Sequence, residues 1–273
     1  YGSIVLEMVS DSPAGELLGE TTREYTFESC GETLDMAELQ EIWESKLEPV
    51  YPYRKAGPTV EKINGKLTAP AAPKIGVAKP KAIIPVFPGT NCEYDTAKAF
   101  ARAGADPEIL VIRNLTPADV TASCEALVKA IDNSQIVMLP GGFSGGDEPD
   151  GSAKFIASFF RNPEVTEAVR RLLQQRDGLM LGICNGFQAL IKLGLVPYGD
   201  IRPITPYDPT LTFNTIGRHQ SMLVRTRIAS TGSPWLSKCA VGDEHTVAIS
   251  HGEGRFVAPQ EVLDTLMKNG QIA

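Results

Sequence analysis

An open, mostly parallel α/β sheet, wound by helices on both faces, is the fold class this sequence predicts for residues 81–273. Three observations predict it. From Lys81 onward, strand-like and helix-like segments alternate four times. Two of the strand-like segments, Gln135–Leu139 and Leu179–Ile183, are essentially apolar runs, and the first has the pattern of a strand buried on both faces. Glycine-rich loops follow three of the strands, at the carboxyl ends where open α/β sheets gather their sites.

The elements follow in order. Ala82–Phe87 is the first strand, and Pro85 implies a bulge or a missing ladder bond within it. Asp95–Ala103 is a helix stopped by Gly104, and Glu108–Arg113 is the second strand. Thr116-Pro117-Ala118-Asp119 is a strong helix start, with a hydroxyl at the N-cap, proline at N1 and a carboxylate at N3; that helix runs to about Ile131. The third strand is 135–139, helices follow near 153–160 and 163–176, and 179–183 is the fourth strand. Beyond about 200 the pattern turns β-rich, at 211–214, 221–228, 246–250 and 255–257, before a last helix over about 260–268. Two zones precede this domain. Residues 1–50 hold a strand at Ser3–Met8, an alternating stretch at Thr22–Phe27 and a helix with Asp35 as N-cap and an apolar stripe of Met36, Leu39, Ile42, Trp43 and Leu47, a small α+β remnant of a larger domain. Residues 51–80 are a Pro-rich linker of extended, semi-rigid composition.

Bulk properties narrow the function classes. A formal net charge of -7 gives no electrostatic support to nucleic-acid binding. No apolar run is as long as a membrane span. The five cysteines (30, 92, 124, 184 and 239) are scattered and odd in number. That spacing predicts reduced thiols in a cytoplasmic protein, with neither a disulfide framework nor a metal site.

Gly182-Ile183-Cys184-Asn185-Gly186 carries the chemistry. A buried strand enters it and a helix pattern (Phe187, Leu190, Ile191) leaves it, so Cys184 belongs on a sharp strand-to-helix turn. This is nucleophile-elbow logic with cysteine in place of serine, and the positive end of the helix favours thiolate. A thiolate attacking a carbonyl needs two N–H donors for the developing oxyanion. Gly142, in the loop 140–147, and Asn185, next after the nucleophile, are the natural pair. The same loop lacks the Gly-Lys-Ser/Thr ending of a phosphate-binding P-loop. A base and an orienting acid are also needed. Of the three histidines, His251 in Ser250-His251-Gly252-Glu253-Gly254-Arg255 has the right setting, so spacing alone offers His251 with Glu253 as the dyad. Cys92 lacks a glycine frame and reads as structural, and His219 and His245 read as ordinary.

The stretches FPGTNCEYD, LPGGFSGGD, LGICNGFQAL and SHGEGR make the pattern specific. Across 81–273 the chain resembles the phosphoribosylformylglycinamidine synthase family in its class I glutamine amidotransferase domain, whose fold is flavodoxin-like. Residues 1–50 resemble the C-terminal edge of the synthetase portion of the long single-chain form. The resemblance implies that Cys184 attacks the side-chain amide of glutamine to give a thioester, with Gly142 and Asn185 holding the oxyanion. It implies that Gln188 and the loop of Ser250, His251, Gly252 and Glu253 hold the glutamine. Ammonia would pass to synthetase domains for ATP-dependent amidine formation in purine biosynthesis. No cofactor or metal is implied for this domain, whereas ATP and Mg belong to the synthetase portion. In the family the catalytic His-x-Glu lies in a later segment resembling Met-x-His-Pro-Glu-Arg. The sequence reaches Ala273 without one, so the expectation is a truncated domain in which His251 and Glu253 are triad members only as the lesser alternative, with little turnover by itself. Related small subunits resemble Asn-x-Ser-x-Arg-Phe-Glu where this chain reads Asn214-Thr215-Ile216-Gly217-Arg218-His219-Gln220, a departure at the aromatic and acidic positions. The competing expectations are a cysteine hydrolase of the α/β or DJ-1-like kind and a non-catalytic docking fragment.

Overall fold

The computed structural model describes residues 3–10, 15–47, 49, 76–146 and 152–273, and the chain divides into two compact units, Tyr1–Ala56 and Gly57–Ala273. Most of the expected linker, 51–75, lies outside the described residues.

In the first unit, β1 (Thr26–Ser29) and β2 (Glu32–Asp35) form an antiparallel hairpin closed by Cys30 and Gly31, both at positive φ. Two consecutive positive φ values make the tight turn that matches strand twist. Helix α1 (Met36–Ser45) follows, and the Asp35 carboxylate accepts from the N–H groups of Ala37 and Glu38, the cap the sequence predicts. The expected strand at residues 3–8 is not formed. That stretch is exposed and lies outside every ladder among the described residues, and a strand without a ladder partner has nothing to satisfy its backbone.

The second unit is built on four parallel strands in the order β4-β3-β5-β6: β3 (Lys81–Val86), β4 (Asp106–Val111), β5 (Ile136–Leu139) and β6 (Leu179–Gly182). The doubly wound α/β class is therefore correct. Pro85 does not bulge β3, which stays in register with β4 through Pro85↔Leu110. The ladder with β5 ends instead at Ile83↔Val137, as the missing proline N–H requires. Between the strands run α2 (Glu93–Arg102), α3 (Pro117–Asp132), α4 (Lys154–Phe160) and α5 (Pro163–Arg170). At α3 the Thr116 side chain and Asp119 form a full capping box, worth about 1 kcal/mol. The predicted single helix over 163–176 is an α-helix only to Arg170 and continues as a π-helical turn, Arg171–Gln175.

Ile83, Phe87, Leu127, Ile131, Leu139, Phe160, Leu172 and Leu193 are fully buried and make one core across strands and helices. Each such side chain contributes roughly 1.5–3 kcal/mol of burial free energy. Helix α6 (Asn185–Leu193) leaves β6, and a short helix α7 (Leu195–Tyr198) follows. The β-rich region forms two antiparallel pairs, β7 (Thr210–Thr212) with β10 (Arg255–Val257) and β8 (Gln220–Arg227) with β9 (Glu244–His251), before α8 (Gln260–Lys268).

Strand β4 lies on one side of β3 and β5 on the other, so the sheet reverses its winding between β3 and β5. A crevice opens at the carboxyl ends of strands at such a point. The loops 88–92 and 140–146 leave those two strands.

Candidate active site

The elbow is a backbone construction. Cys184 has φ 53 and ψ −113, a conformation that a non-glycine residue adopts at a cost on the order of 1–3 kcal/mol. It is exposed, between the end of β6 and the start of α6. The turn is pinned by Ile183 N–H to Leu139 O at 3.1 Å, Gly186 N–H to Ile183 O at 2.9 Å and Gln188 N–H to Cys184 O at 3.0 Å. The flanking glycines are required by contact rather than by φ. A Cβ on Gly182 would lie 2.6 Å from Gly186 O, and one on Gly186 would drive into the Leu139 carbonyl.

The loop after β5 lies directly against the cysteine: a Cβ on Gly141 would sit 3.3 Å from Cys184 Cβ and 3.9 Å from its Sγ. The loop after β3 clamps it from the other side. Asn91 N–H donates to Gly141 O at 2.9 Å, Phe143 N–H to Gly89 O at 2.8 Å and Gly145 N–H to Pro88 O at 2.8 Å. In this narrow bridge Thr90 and Gly142 form the pair whose own N–H and C=O groups point outward. Among the described residues, the Gly142 N–H has no hydrogen-bond acceptor. A Cβ on Gly142, at φ +126, would meet Gly89 O at 2.5 Å and Asn91 N at 2.6 Å, so no other residue fits. The 88–92 loop, which carries little signal in the sequence, is thus the buttress of the 140–146 loop. Asp147 lies outside the described residues.

Three loops are joined by one chain of side-chain bonds. Asn185, 1 % exposed, accepts from Ser144 N–H at 3.1 Å and donates to Gln188 Oε1 at 3.0 Å. Gln188, 7 % exposed, donates from Nε2 to the Glu253 carbonyl at 2.8 Å. Glu253 in turn accepts at its carboxylate from Ser152 N–H at 3.2 Å and Ser152 Oγ–H at 2.5 Å. Gln188, expected to touch substrate, therefore has its amide oxygen and nitrogen engaged by protein and ties the elbow helix to the 250–254 loop.

That loop is pinned at its other end by Asn214, a buried residue just after β7. Asn214 Nδ2 donates to Arg218 O at 3.0 Å and His251 O at 2.7 Å, and its backbone N–H donates to Gly252 O at 2.8 Å. With Nδ2 facing two carbonyls, Oδ1 must accept, and His251 Nδ1 donates to it at 2.8 Å. Ser250 Oγ bonds His219 Nε2 at 2.8 Å. The dyad that spacing suggests is not assembled: His251 Nδ1 is turned to Asn214, and the Glu253 carboxylate to Ser152. Among the described residues no hydrogen bond joins a histidine to Cys184. Asn214, whose carbonyl also accepts from Gly217 N–H at 3.0 Å to make five bonds, carried no signal as a positioning residue beyond a motif spacing shared with Arg218.

The other cysteines are free thiols in other settings. Cys124 is buried, and burial first, then Glu164 and Glu125, pushes its thiol up. Cys92 is the left-handed residue before α2.

A parallel sheet with a cysteine elbow on its fourth strand is the architecture of a class I glutamine amidotransferase. Residues 79–273 match the family of CobB/CobQ-like glutamine amidotransferase domains, and the chain belongs to that family. Its relatives include subunit PurQ of phosphoribosylformylglycinamidine synthase from Rubrobacter xylanophilus, 35% identical over 187 residues, covering 68% of this chain and 71% of the relative. PurQ of Treponema denticola is 35% identical over 207 residues, covering 71% of this chain and 70% of the relative. PurQ of Mycolicibacterium paratuberculosis is 38% identical over 187 residues, covering 68% and 69%. A chain of the solved PurLQS structure from Thermotoga maritima has a TM-score of 0.49 and 25% identity over 66% of this chain and 70% of that chain.

Proposed function

We propose that this chain is the glutaminase part of a phosphoribosylformylglycinamidine synthase, and that Cys184 is its nucleophile. The observation that carries the reading is the strained Cys184 backbone with the Gly141–Gly142 loop against its sulfur. The Cys184 sulfur attacks the side-chain carbonyl carbon of glutamine, forming a C–S bond and a tetrahedral oxyanion. The N–H groups of Gly142 and Asn185 hold that oxyanion, a term worth about 2.7–4 kcal/mol per donor in such sites. Collapse breaks the C–N bond, the nitrogen takes a proton, and ammonia leaves. Water then attacks the γ-glutamyl thioester, releasing glutamate and regenerating the thiol. The ammonia is consumed by a synthetase partner that binds ATP and Mg, as the relatives' name as a subunit of that synthase supports.

The loop of Ser250, His251, Gly252 and Glu253 holds the amino-acid end of glutamine, and Gln188 and Asn214 position it. The bonds from His251 to Asn214 and from Glu253 to Ser152 favour this role over an acid–base pair. A second reading keeps His251 as base with Asn214 as its orienting partner, because that bond leaves Nε2 as the ring's acceptor.

The test is acid-quenched incubation of the full chain with glutamine, followed by peptide mapping. The expected product is a γ-glutamyl adduct on the Cys184 peptide, absent in Cys184→Ala. His251→Ala should slow adduct formation by no more than about 10-fold. A loss of roughly 10⁴-fold, as when a triad member is disabled, would favour the second reading. Turnover of esters or peptides in preference to glutamine would favour the cysteine hydrolase.

A further inference from the structure

The connection from β8 to β9, residues 228–243, plays no part in the chemistry above. It is anchored in its middle by Trp235, whose Nε1–H donates to Met180 O at 3.2 Å and whose ring meets Phe100 edge-on at 6.3 Å. Beyond that anchor the chain folds into a tight turn. Cys239 N–H donates to Leu236 O at 2.9 Å, Asp243 N–H to Ala240 O at 3.1 Å and Gly242 N–H to Ile228 O at 2.9 Å. The Asp243 carboxylate accepts from Ala240 N–H at 2.7 Å through Oδ2. His245 is the second residue of β9, paired with Thr226, whose hydroxyl donates to the His245 carbonyl at 3.2 Å.

This turn brings one ligand atom each from Cys239, Asp243 and His245 to within 4.8 Å of one another. Zinc binds sulfur at about 2.3 Å and imidazole nitrogen or carboxylate oxygen at about 2.0–2.2 Å, which puts tetrahedral ligands roughly 3.3–3.7 Å apart. Side-chain rotations of about 1 Å therefore close the set on an ion. The backbone bonds hold the turn in place, and Ala240 N–H already orients the carboxylate, the outer-shell support that metal ligands use. Thiolate and imidazole select a borderline-soft ion over Mg²⁺ or Ca²⁺, which take oxygen donors. Cys239 is half-buried while Asp243 and His245 are exposed, so the fourth position opens to water.

We propose that Cys239, Asp243 and His245 bind one zinc-class divalent cation, with water as fourth ligand, and that the ion clasps the 228–243 connection to the start of β9. The site is distinct from the glutamine loop: His245 and His251 lie six residues apart on one strand, roughly 20 Å. Cysteine spacing alone points away from metal, because the partners of Cys239 are an aspartate four residues on and a histidine six residues on, each with a bland local setting.

Titration of the full chain with Co²⁺ tests this. The expected result is a thiolate-to-cobalt charge-transfer band that saturates at one equivalent and is displaced by Zn²⁺ but not by Mg²⁺. Cys239→Ser should abolish the band, and His245→Ala or Asp243→Asn should weaken Co²⁺ binding by at least roughly 10-fold, since losing a ligand costs no less than losing an outer-shell partner. Cys184→Ser should leave it intact. Zn²⁺ should raise the melting temperature of the wild-type chain and not that of Cys239→Ser. No band at one equivalent, a band that survives Cys239→Ser, or one that disappears with Cys184→Ser would each overturn the proposal.

Discussion

The elbow at 182–186 and the loop at 250–254 meet at the same site, yet different forces hold them. The elbow is set by backbone packed on backbone: Gly182 against Gly186, Gly186 against Leu139, Gly142 against Gly89 and Asn91. The 250–254 loop is set by side-chain amides and a carboxylate: Asn214, Gln188 and the Glu253–Ser152 pair. A backbone-jammed turn has one arrangement and keeps a strained cysteine in place. A loop tied by polar side chains releases at a cost of about 1–3 kcal/mol per buried group left unsatisfied. The difference suits the proposed roles, a fixed nucleophile at the elbow and a loop at 250–254 that admits and holds the substrate.

Substitutions should separate the two modes. Gly186→Ala is expected to have the largest effect. Its methyl collides with the Leu139 carbonyl, and destabilisation of 3 kcal/mol or more by urea unfolding should accompany loss of the Cys184 adduct, at the upper end of what overpacking costs. Gly142→Ala comes next. Its methyl breaks the bridge to 88–92 and moves one oxyanion donor, so adduct formation should slow by about 10²–10³-fold. Asn214→Ala acts on the other mode. It should cost about 2 kcal/mol of stability and raise the glutamine concentration for half-saturation roughly 10-fold, with the limiting rate of adduct formation little changed. Glu253→Gln is the mildest, because the amide oxygen still accepts from Ser152. A half-saturation shift of about 5-fold or less is expected, the difference between a charge-assisted and a neutral bond. If the limiting rate fell with Asn214→Ala as it does with Gly142→Ala, the contrast between the two modes would fail.

Much of this was legible in the chain. The unalternated run at 135–139 identifies a buried strand, and β5 is buried at every residue inside the parallel sheet. The run at 179–183, by contrast, forms β6, the last strand in the sheet order, which is only half-buried and runs into an exposed Ile183. The caps at Asp35 and Thr116 are local chemistry and stand where the sequence places them. Glycines at 182 and 186 report close backbone approach, which leaves a mark in residue type. What stayed hidden depends on partners distant in sequence. Gln188 reads only as a substrate contact, and nothing in its local sequence shows that Asn185 and Glu253 engage its amide. His251 and Glu253 read as a dyad because spacing cannot tell that Asn214 and Ser152 compete for them. The hairpin turn at Cys30-Gly31 lacks the usual Asn or Asp that announces such a turn. Residues 3–8 have the apolar content of a strand but no neighbour to pair with among the described residues.

The central claim is that Cys184 is a glutamine-directed nucleophile. It is tested most directly by treating the full chain with a chloroketone analogue of glutamine and mapping the alkylated cysteine, with and without excess glutamine. The account predicts stoichiometric labelling at Cys184 that glutamine protects against. Labelling spread over the exposed thiols of Cys30, Cys92 and Cys184 at similar rates, with no protection by glutamine, would contradict it.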